Sequence, residues 1–259
     1  MRKKRRYIRY LILLSILFAV AAHEAIVKAK ISSWEQTLEV RLFAVNGDGR
    51  RATDNYIKSL KLANFQPVER FMNREARHYD IPINVVKVSY AGELKSRPPH
   101  VPGENSLLRN IIWSLHFRAW ALYQSYRVKH GASDVDLFII YYDTAATQSL
   151  RHSVGLRGGM IGLINGFASK SYQGSNNVVL AHELMHTLGA TDKYNQLNQP
   201  AHPGGFAAPF QEPLFPQRQA EIMGGRIPIS ATRAIVPTNL RQVVVGAFTA
   251  AELNWYREK

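Results

Sequence analysis

Two histidines and a glutamate in the second half of the chain have the spacing of a metal-dependent hydrolytic site. His182 and His186 are four residues apart in a segment with helical spacing. Both imidazoles therefore point to the same side of a helix and can bind one ion. Glu183 follows the first histidine, which places its carboxylate beside a water on that ion rather than on the ion itself. This pattern predicts a zinc site in which Glu183 is the general base.

A third protein ligand is expected, because catalytic zinc sites usually combine three side chains with one open position. Gly189 can take the left-handed conformation that ends a helix and turns the chain back. Asp192, six residues after His186, is then the first strong ligand able to approach the ion from the side. An alternative ligand set keeps the two histidines and uses Glu221, with Asp192 as a supporting carboxylate.

The run HELMHTLGATDKY resembles the metzincin signature HExxHxxGxx(H/D), with Asp192 where most metzincins have a third histidine, as in the snapalysin-like group. It also looks like a group of bacterial envelope proteins with an N-terminal hydrophobic segment. The resemblance implies a zincin-like domain with a twisted mixed sheet, an active-site helix and an irregular C-terminal subdomain. It further implies a methionine in a tight turn below the metal, for which Met223 is the candidate. Gly225 stands where astacin-like and serralysin-like members have a tyrosine, so Tyr194 becomes the candidate oxyanion donor.

The resemblance implies hydrolysis of a peptide or protein substrate, with Zn²⁺ as the cofactor and Glu183 as the proton acceptor. Residues 159–164 occupy the place of the metzincin edge strand, where an extended substrate can add as a further strand. An ordinary internal strand is the other interpretation of that segment. A different class of function also stays open, namely a non-catalytic envelope protein that keeps the metal as a structural staple and binds peptides or acts as a scaffold.

The elements that must position these residues indicate a single α/β or α+β domain in residues 31–259. Apolar runs and alternation predict strands, and apolar residues spaced by three and four predict helices. The predicted strands cover residues 38–45, 84–90, 136–142, 159–164 and 243–246. The predicted helices cover residues 53–62, 68–79, 106–129, 177–188 and 249–258. Residues 196–216, rich in Pro, Gly, Gln and Asn, predict a long irregular segment of the kind that is often functional.

Residues 1–30 predict export. Six cations and no acid lie in the first ten residues, and residues 11–22 form an unbroken apolar run. This run matches the apolar region of a signal peptide, with residues 19–21 as a small-residue cleavage site. The alternative is a retained transmembrane helix that anchors the protein, with residues 25–27 extending the run. Both interpretations place the domain outside the cytoplasm, at the cell membrane or as a periplasmic or secreted protein.

Composition excludes several classes of function. The formal net charge is +14, but six of these charges lie in the first ten residues and the others form no basic stripe. Nucleic acid is therefore not an expected partner. The chain has no cysteine, which excludes a disulfide scaffold, cysteine-ligated zinc and thiol catalysis.

Overall fold

The computed structural model describes residues 2–102, 106–128, 131–151, 153–155 and 160–256. Its helices are α1 Arg2–Ser33, α2 Arg51–Ser59, α3 Gln66–His78, α4 Leu107–Arg127, α5 Gln173–Thr187 and α6 Ala247–Glu252. Its strands are β1 Leu38–Asn46, β2 Val86–Leu94, β3 Val135–Tyr142, β4 Val154–Gly155, β5 Ile161–Phe167, β6 Ala220–Glu221, β7 Ile227–Pro228, β8 Ala234–Ile235 and β9 Val243–Val244.

The described residues form a central sheet of five strands in the order β2-β1-β3-β5-β4. β1 pairs with β2 and β3, and β3 pairs with β5, all in parallel. Parallel neighbours need long crossover connections, which α2 and α3 provide between β1 and β2, and α4 between β2 and β3. The strand β4 is antiparallel to β5 and lies at the edge of the sheet. The prediction of an α/β domain is therefore confirmed.

Helices cover both faces of this sheet, so its central strands are buried on two sides. Leu42 and Ala44 of β1 face a core shared with α2, α3 and α5. Phe43 and Val45 face the opposite core, which they share with α4. Strands buried on both faces have nearly continuous apolar sequences, which explains the run LFIIYY in β3.

Some predicted elements differ from the observed ones. The segment assigned to a possible edge strand contains β5, which lies between β3 and β4 and is therefore internal; Gly159 of that segment lies outside the described residues. The helix α5 begins four residues before its predicted start at Asn177. Its first turns are polar, because the Asn176 side chain accepts a hydrogen bond from the Phe167 N–H at 3.1 Å and donates one to the Phe167 carbonyl at 2.9 Å. The last helix, α6, ends at Glu252 rather than at residue 258.

The prediction of a transmembrane helix is wrong. Within the part of the chain that the structure describes, no helix is both long and apolar enough to cross a bilayer. The apolar run of residues 11–22 is shorter than the roughly 20 residues that a span requires. Glu24, Lys28 and Lys30 follow it within the same helix, α1, and prevent its extension.

The end of α1 joins the core next to the end of the chain. Ile31 and Trp34 are buried. The Trp34 and Trp255 rings meet edge to face, with centroids 6.1 Å apart. The Trp34 indole N–H donates a hydrogen bond of 2.6 Å to the Leu253 carbonyl. Trp34 is thus fastened to the segment that follows α6.

Candidate metal centre

The packing of α5 sets the direction of its two histidines. Leu180, Leu184 and Leu188 form a buried stripe against the sheet, as expected for an amphipathic helix. His182 and His186 therefore lie on the other side of the helix, with side chains 14% and 16% exposed. Their ring centroids are 4.6 Å apart. The sheet and the helix together hold two imidazoles side by side near the surface.

Each histidine is oriented by a backbone carbonyl. The Nδ1 atom of His182 lies 2.9 Å from the Ile222 carbonyl oxygen, and the Nδ1 atom of His186 lies 2.9 Å from that of Ala190. A carbonyl oxygen only accepts hydrogen bonds, so both Nδ1 atoms carry a proton and donate it. In the neutral rings, the lone pairs that remain are those of the two Nε2 atoms, which is the tautomer that a metal needs.

Asp192 meets both of these Nε2 atoms. Its Oδ1 atom lies 3.2 Å from Nε2 of His182 and 3.1 Å from Nε2 of His186. Burial acts to raise the pKa of the Asp192 carboxyl, but the two histidines hold that pKa well below its usual range. Burial acts to lower the pKa of His186, whereas Asp192 and the Ala190 carbonyl raise it above its usual value. Among the described residues, these three side chains offer ligand atoms that all lie within 4.8 Å of one another.

Gly189 turns the chain so that Asp192 can approach the histidines. Its φ is +112°, a conformation that residues with a Cβ rarely adopt. The Gly189 N–H donates to the His186 carbonyl at 3.1 Å, and the Ala190 N–H donates to the Met185 carbonyl at 3.0 Å. These bonds satisfy carbonyls at the end of α5 while the chain folds back.

Glu252 fixes the residues on either side of Asp192. Thr191 donates its N–H at 2.9 Å and also its hydroxyl to the Glu252 carboxylate, and Lys193 donates its ammonium at 2.7 Å. Burial acts to raise the pKa of Glu252, but these donors outweigh it and hold that pKa below its usual value. Sequence reasoning missed this residue, because an acid sixty positions from the ligand leaves no local pattern.

Met223 is fully buried in a turn that faces α5. The preceding carbonyl, of Ile222, is the one that His182 binds. The Met223 carbonyl accepts the Lys193 N–H at 2.9 Å, and Gly225, with φ +71°, continues the turn. The turn therefore contacts both the first histidine and the residue after Asp192.

Glu221 is directed into this turn and not into the histidine–aspartate cluster. Its side chain is fully buried. The described residues supply four donors to its carboxylate, which are the N–H groups of Met223 at 2.7 Å, Gly224 at 2.9 Å and Gly246 at 3.1 Å, and the hydroxyl of Thr249 at 2.7 Å. Burial raises its pKa although these donors favour the charged form. The structure thus brings Asp192, and not Glu221, to the two histidines.

Glu183 is buried between α5 and the edge strand β4. Its Oε2 atom accepts the Gly155 N–H at 2.6 Å. Burial is the main cause that raises the pKa of Glu183, and the neighbouring histidines act against it. A Cβ at Gly155 would lie 2.7 Å from both the Glu183 carbonyl oxygen and the His186 Cβ, so the approach of β4 to α5 requires glycine. Sequence reasoning missed Gly155, because a strand of two residues has no periodicity to detect.

Tyr194 stacks on the first histidine. Its ring centroid lies 6.4 Å from that of His182, with 24° between the ring planes. Burial, followed by the adjacent Asp192 carboxylate, raises the pKa of Tyr194 far above its usual value. The phenol therefore keeps its proton and is a hydrogen-bond donor at neutral pH.

Comparison with known proteins adds little to this geometry. No family profile matches the sequence, and no curated protein matches it. A solved structure described as "Structure of a chaperone-substrate complex" is similar with a TM-score of 0.44 and 14% identity. That match covers 84% of this chain and 34% of the other, so this chain spans about a third of the length of the protein that it matches.

Proposed function

We propose that this chain is a zinc-dependent endopeptidase. The supporting observation is the convergence of Nε2 of His182, Nε2 of His186 and Oδ1 of Asp192, with each Nδ1 atom held by a carbonyl. Two imidazole nitrogens and one carboxylate oxygen suit zinc, and three ligands leave a coordination position for a reactant. His182, His186 and Asp192 are the proposed zinc ligands.

We propose a zincin-like arrangement for the domain. Three features support it: the antiparallel edge strand β4 beside α5, the left-handed Gly189 after the histidines, and the buried Met223 turn that faces them. In this arrangement the irregular segment after α5 is the C-terminal subdomain, and it carries Asp192.

Glu183 performs the proton transfers in the proposed reaction. When bound, zinc polarises the scissile carbonyl and makes water more acidic. The Glu183 carboxylate accepts a proton from the attacking water and then delivers it to the leaving nitrogen. The bond from the Gly155 N–H fixes the orientation of that carboxylate. Tyr194, stacked on His182 and protonated, is the proposed donor to the developing oxyanion.

The proposed substrate is an extended segment of peptide or protein. The strand β4 lies at the edge of the sheet, and an extended chain can pair with such an edge by strand addition. Because Gly155 of this edge bonds Glu183, a peptide bound there passes next to the proposed base.

The test combines metal content with cleavage of casein. The parent chain is expected to hold one zinc and to cleave casein, and Asp192→Ala is expected to lose most of the zinc. Glu183→Gln keeps the shape of the side chain, so it is expected to retain zinc while the cleavage rate falls by roughly 10²- to 10⁴-fold. The control is Glu39→Gln, since that side chain is 42% exposed in β1.

Three results would contradict the proposal at different points. Full zinc retention by Asp192→Ala would remove that residue from the ligand set. Cleavage of casein by Glu183→Gln at the parental rate would show that Glu183 is not the base. A parent that holds zinc but cleaves neither casein nor a peptide library would instead favour the non-catalytic, metal-stapled protein.

We also propose that the domain acts outside the cytoplasm after cleavage of a signal peptide. The support is the basic start followed by the apolar run of residues 11–22. A mature chain that begins at Ala22 or His23, measured by mass spectrometry, is the expected result. An intact N-terminus on a chain that stays in the cytoplasm would refute it.

A further inference from the structure

The helix α4 is apolar on two opposite sides. Its inner side, with Trp113, Phe117 and Ala121, packs on the sheet. Its outer side carries seven large apolar or aromatic residues that are between 48% and 91% exposed, which are Leu108, Ile111, Ile112, Leu115, Leu122, Tyr123 and Tyr126. Their spacing by three, four and seven places them along one outer face. We call this face the α4 stripe.

The α4 stripe is too continuous to be ordinary surface. Single exposed apolar residues are common on folded proteins, but the α4 stripe runs for about 27 Å at 1.5 Å per residue. A helix that is apolar all round is normally covered on all sides. A contiguous exposed patch of this kind marks a surface that binds a partner.

The charges around α4 indicate the chemistry of that partner. Residues 105–133 contain four Lys and Arg residues and no Asp or Glu. One of these cations borders the α4 stripe, because the Arg127 guanidinium lies 5.5 Å from the centroid of the Tyr123 ring. A second copy that met this face through its own α4 would bring cations to cations, because the helix carries no acid of its own. A bilayer with anionic headgroups offers both an apolar layer and negative charge.

We propose that α4 docks on an anionic lipid surface. Because its inner side is packed on the sheet, the helix lies flat on that surface. Leu115 and Leu122 enter the boundary of the acyl chains, Tyr123 and Tyr126 sit at the level of the headgroups, and the cations contact them. This surface lies on the face of the sheet opposite to α5, and the inference does not depend on the proposed peptidase activity.

The first experiment measures binding to vesicles of the chain from His23, the proposed mature form, which keeps every residue of the two buried cores and lacks the basic and apolar residues 1–22 that would themselves bind lipid. The parent is expected to bind vesicles of equal parts phosphatidylcholine and phosphatidylglycerol more tightly than vesicles of phosphatidylcholine. The triple variant Ile112→Gln, Leu115→Gln and Leu122→Gln is expected to weaken that binding by about 100-fold, because three apolar side chains no longer enter the bilayer. The matched control changes three exposed apolar residues outside α4, as Leu197→Gln, Phe210→Gln and Val236→Gln, and is expected to weaken it less.

Two results of that experiment would overturn the proposal. One is parental vesicle binding by the α4 triple variant, whatever the control variant does. The other is that the parent binds no vesicles but forms a dimer, while the α4 triple variant stays a monomer. This result would show that the α4 stripe binds a second copy of the chain.

The second experiment uses the absence of native cysteine. Leu115→Cys carries an environment-sensitive fluorophore on the α4 stripe. Leu62→Cys carries it before α3, on the other face of the sheet, where the native leucine is 41% exposed. A blue shift on anionic vesicles is expected at position 115 and not at position 62. Vesicle-bound protein without a shift at position 115 would show that α4 does not touch the lipid.

Discussion

The sheet and the segment after α5 are built in different ways. The sheet of β1, β2, β3 and β5 has long parallel strands with apolar residues on both faces. Residues 188–246 contain four strands of two residues each among the described elements, separated by turns and loops. Apolar residues of this segment join the same core as the sheet, but polar contacts fix it as well, since the buried carboxylate of Glu221 and the half-buried one of Glu252 each collect several donors.

This difference shows how the candidate metal centre is assembled. The two histidines belong to a helix held by apolar packing on the sheet, whereas Asp192 and Met223 belong to the segment that buried carboxylates fix in addition to such packing. Apolar burial is non-directional and tolerates small shifts. Hydrogen bonds to a buried carboxylate depend on position and orientation, which suits a segment that must bring one oxygen to two nitrogens.

The largest expected effect on stability is that of Glu221→Ala. The change leaves three backbone N–H groups and one hydroxyl without the acceptor that they bind, so we expect the free energy of unfolding to fall by about 3–5 kcal/mol. Denaturant unfolding measures this change. Hydrogen exchange should speed up first at Met223 and Gly224 and later, if at all, in β1. Equal acceleration in β1 would mean that the two regions are not distinct.

The matched control for Glu221→Ala is Glu39→Ala in β1. Glu39 is 42% exposed and pairs with Lys87 at 3.5 Å, so its loss is expected to change stability by less than about 1 kcal/mol. Similar losses at both positions would contradict the special role of the buried carboxylate.

A smaller effect is expected for Gly155→Ala. The added Cβ would lie 2.7 Å from the Glu183 carbonyl oxygen and the His186 Cβ, so β4 must move away from α5 at a cost of about 1–3 kcal/mol. Casein cleavage should fall further than stability explains, because the Gly155 N–H also orients Glu183. Gly131→Ala is the control, since no atom of the described residues lies within 4 Å of its added Cβ. If Gly155→Ala cleaves casein at the parental rate, β4 does not orient the proposed base.

The smallest effect is expected for Glu252→Gln, and it depends on pH. Because the folded state lowers the pKa of Glu252 below its usual 4.5, its stabilisation is present above that pH and is lost as the pH falls through the folded value. At neutral pH the variant should be less stable by about 1–2 kcal/mol. Denaturant unfolding at several pH values should show this difference shrinking below about pH 4.5. A difference that stays constant with pH would contradict an ionic role.

The sequence predicted the sheet region better than the segment that follows it. The strand predicted at residues 38–45 is observed at Leu38–Asn46, and the helix predicted at residues 68–79 is observed at Gln66–His78. Both signals are local, because burial imposes a period on neighbouring residues. The spacing of the histidines is local in the same sense.

The contacts that complete the candidate site are not local. The sequence left open whether Glu221 is a metal ligand, because its partners Gly246 and Thr249 come 25 and 28 residues later. Gly155 bonds a carboxylate 28 residues away. No spacing rule connects such positions, so only the folded chain shows which donors meet which carboxylate.

The contact between Trp34 and Trp255 joins the residue after α1 to the segment after α6, so the described path from β1 to α6 begins and ends at one place. Because these two rings touch, a short flexible linker is long enough to connect Trp255 to Trp34. A circular permutant opened in a surface loop would then keep the same neighbours for every strand. The histidines and the aspartate would therefore still come together if the elements followed one another in a different order along the chain.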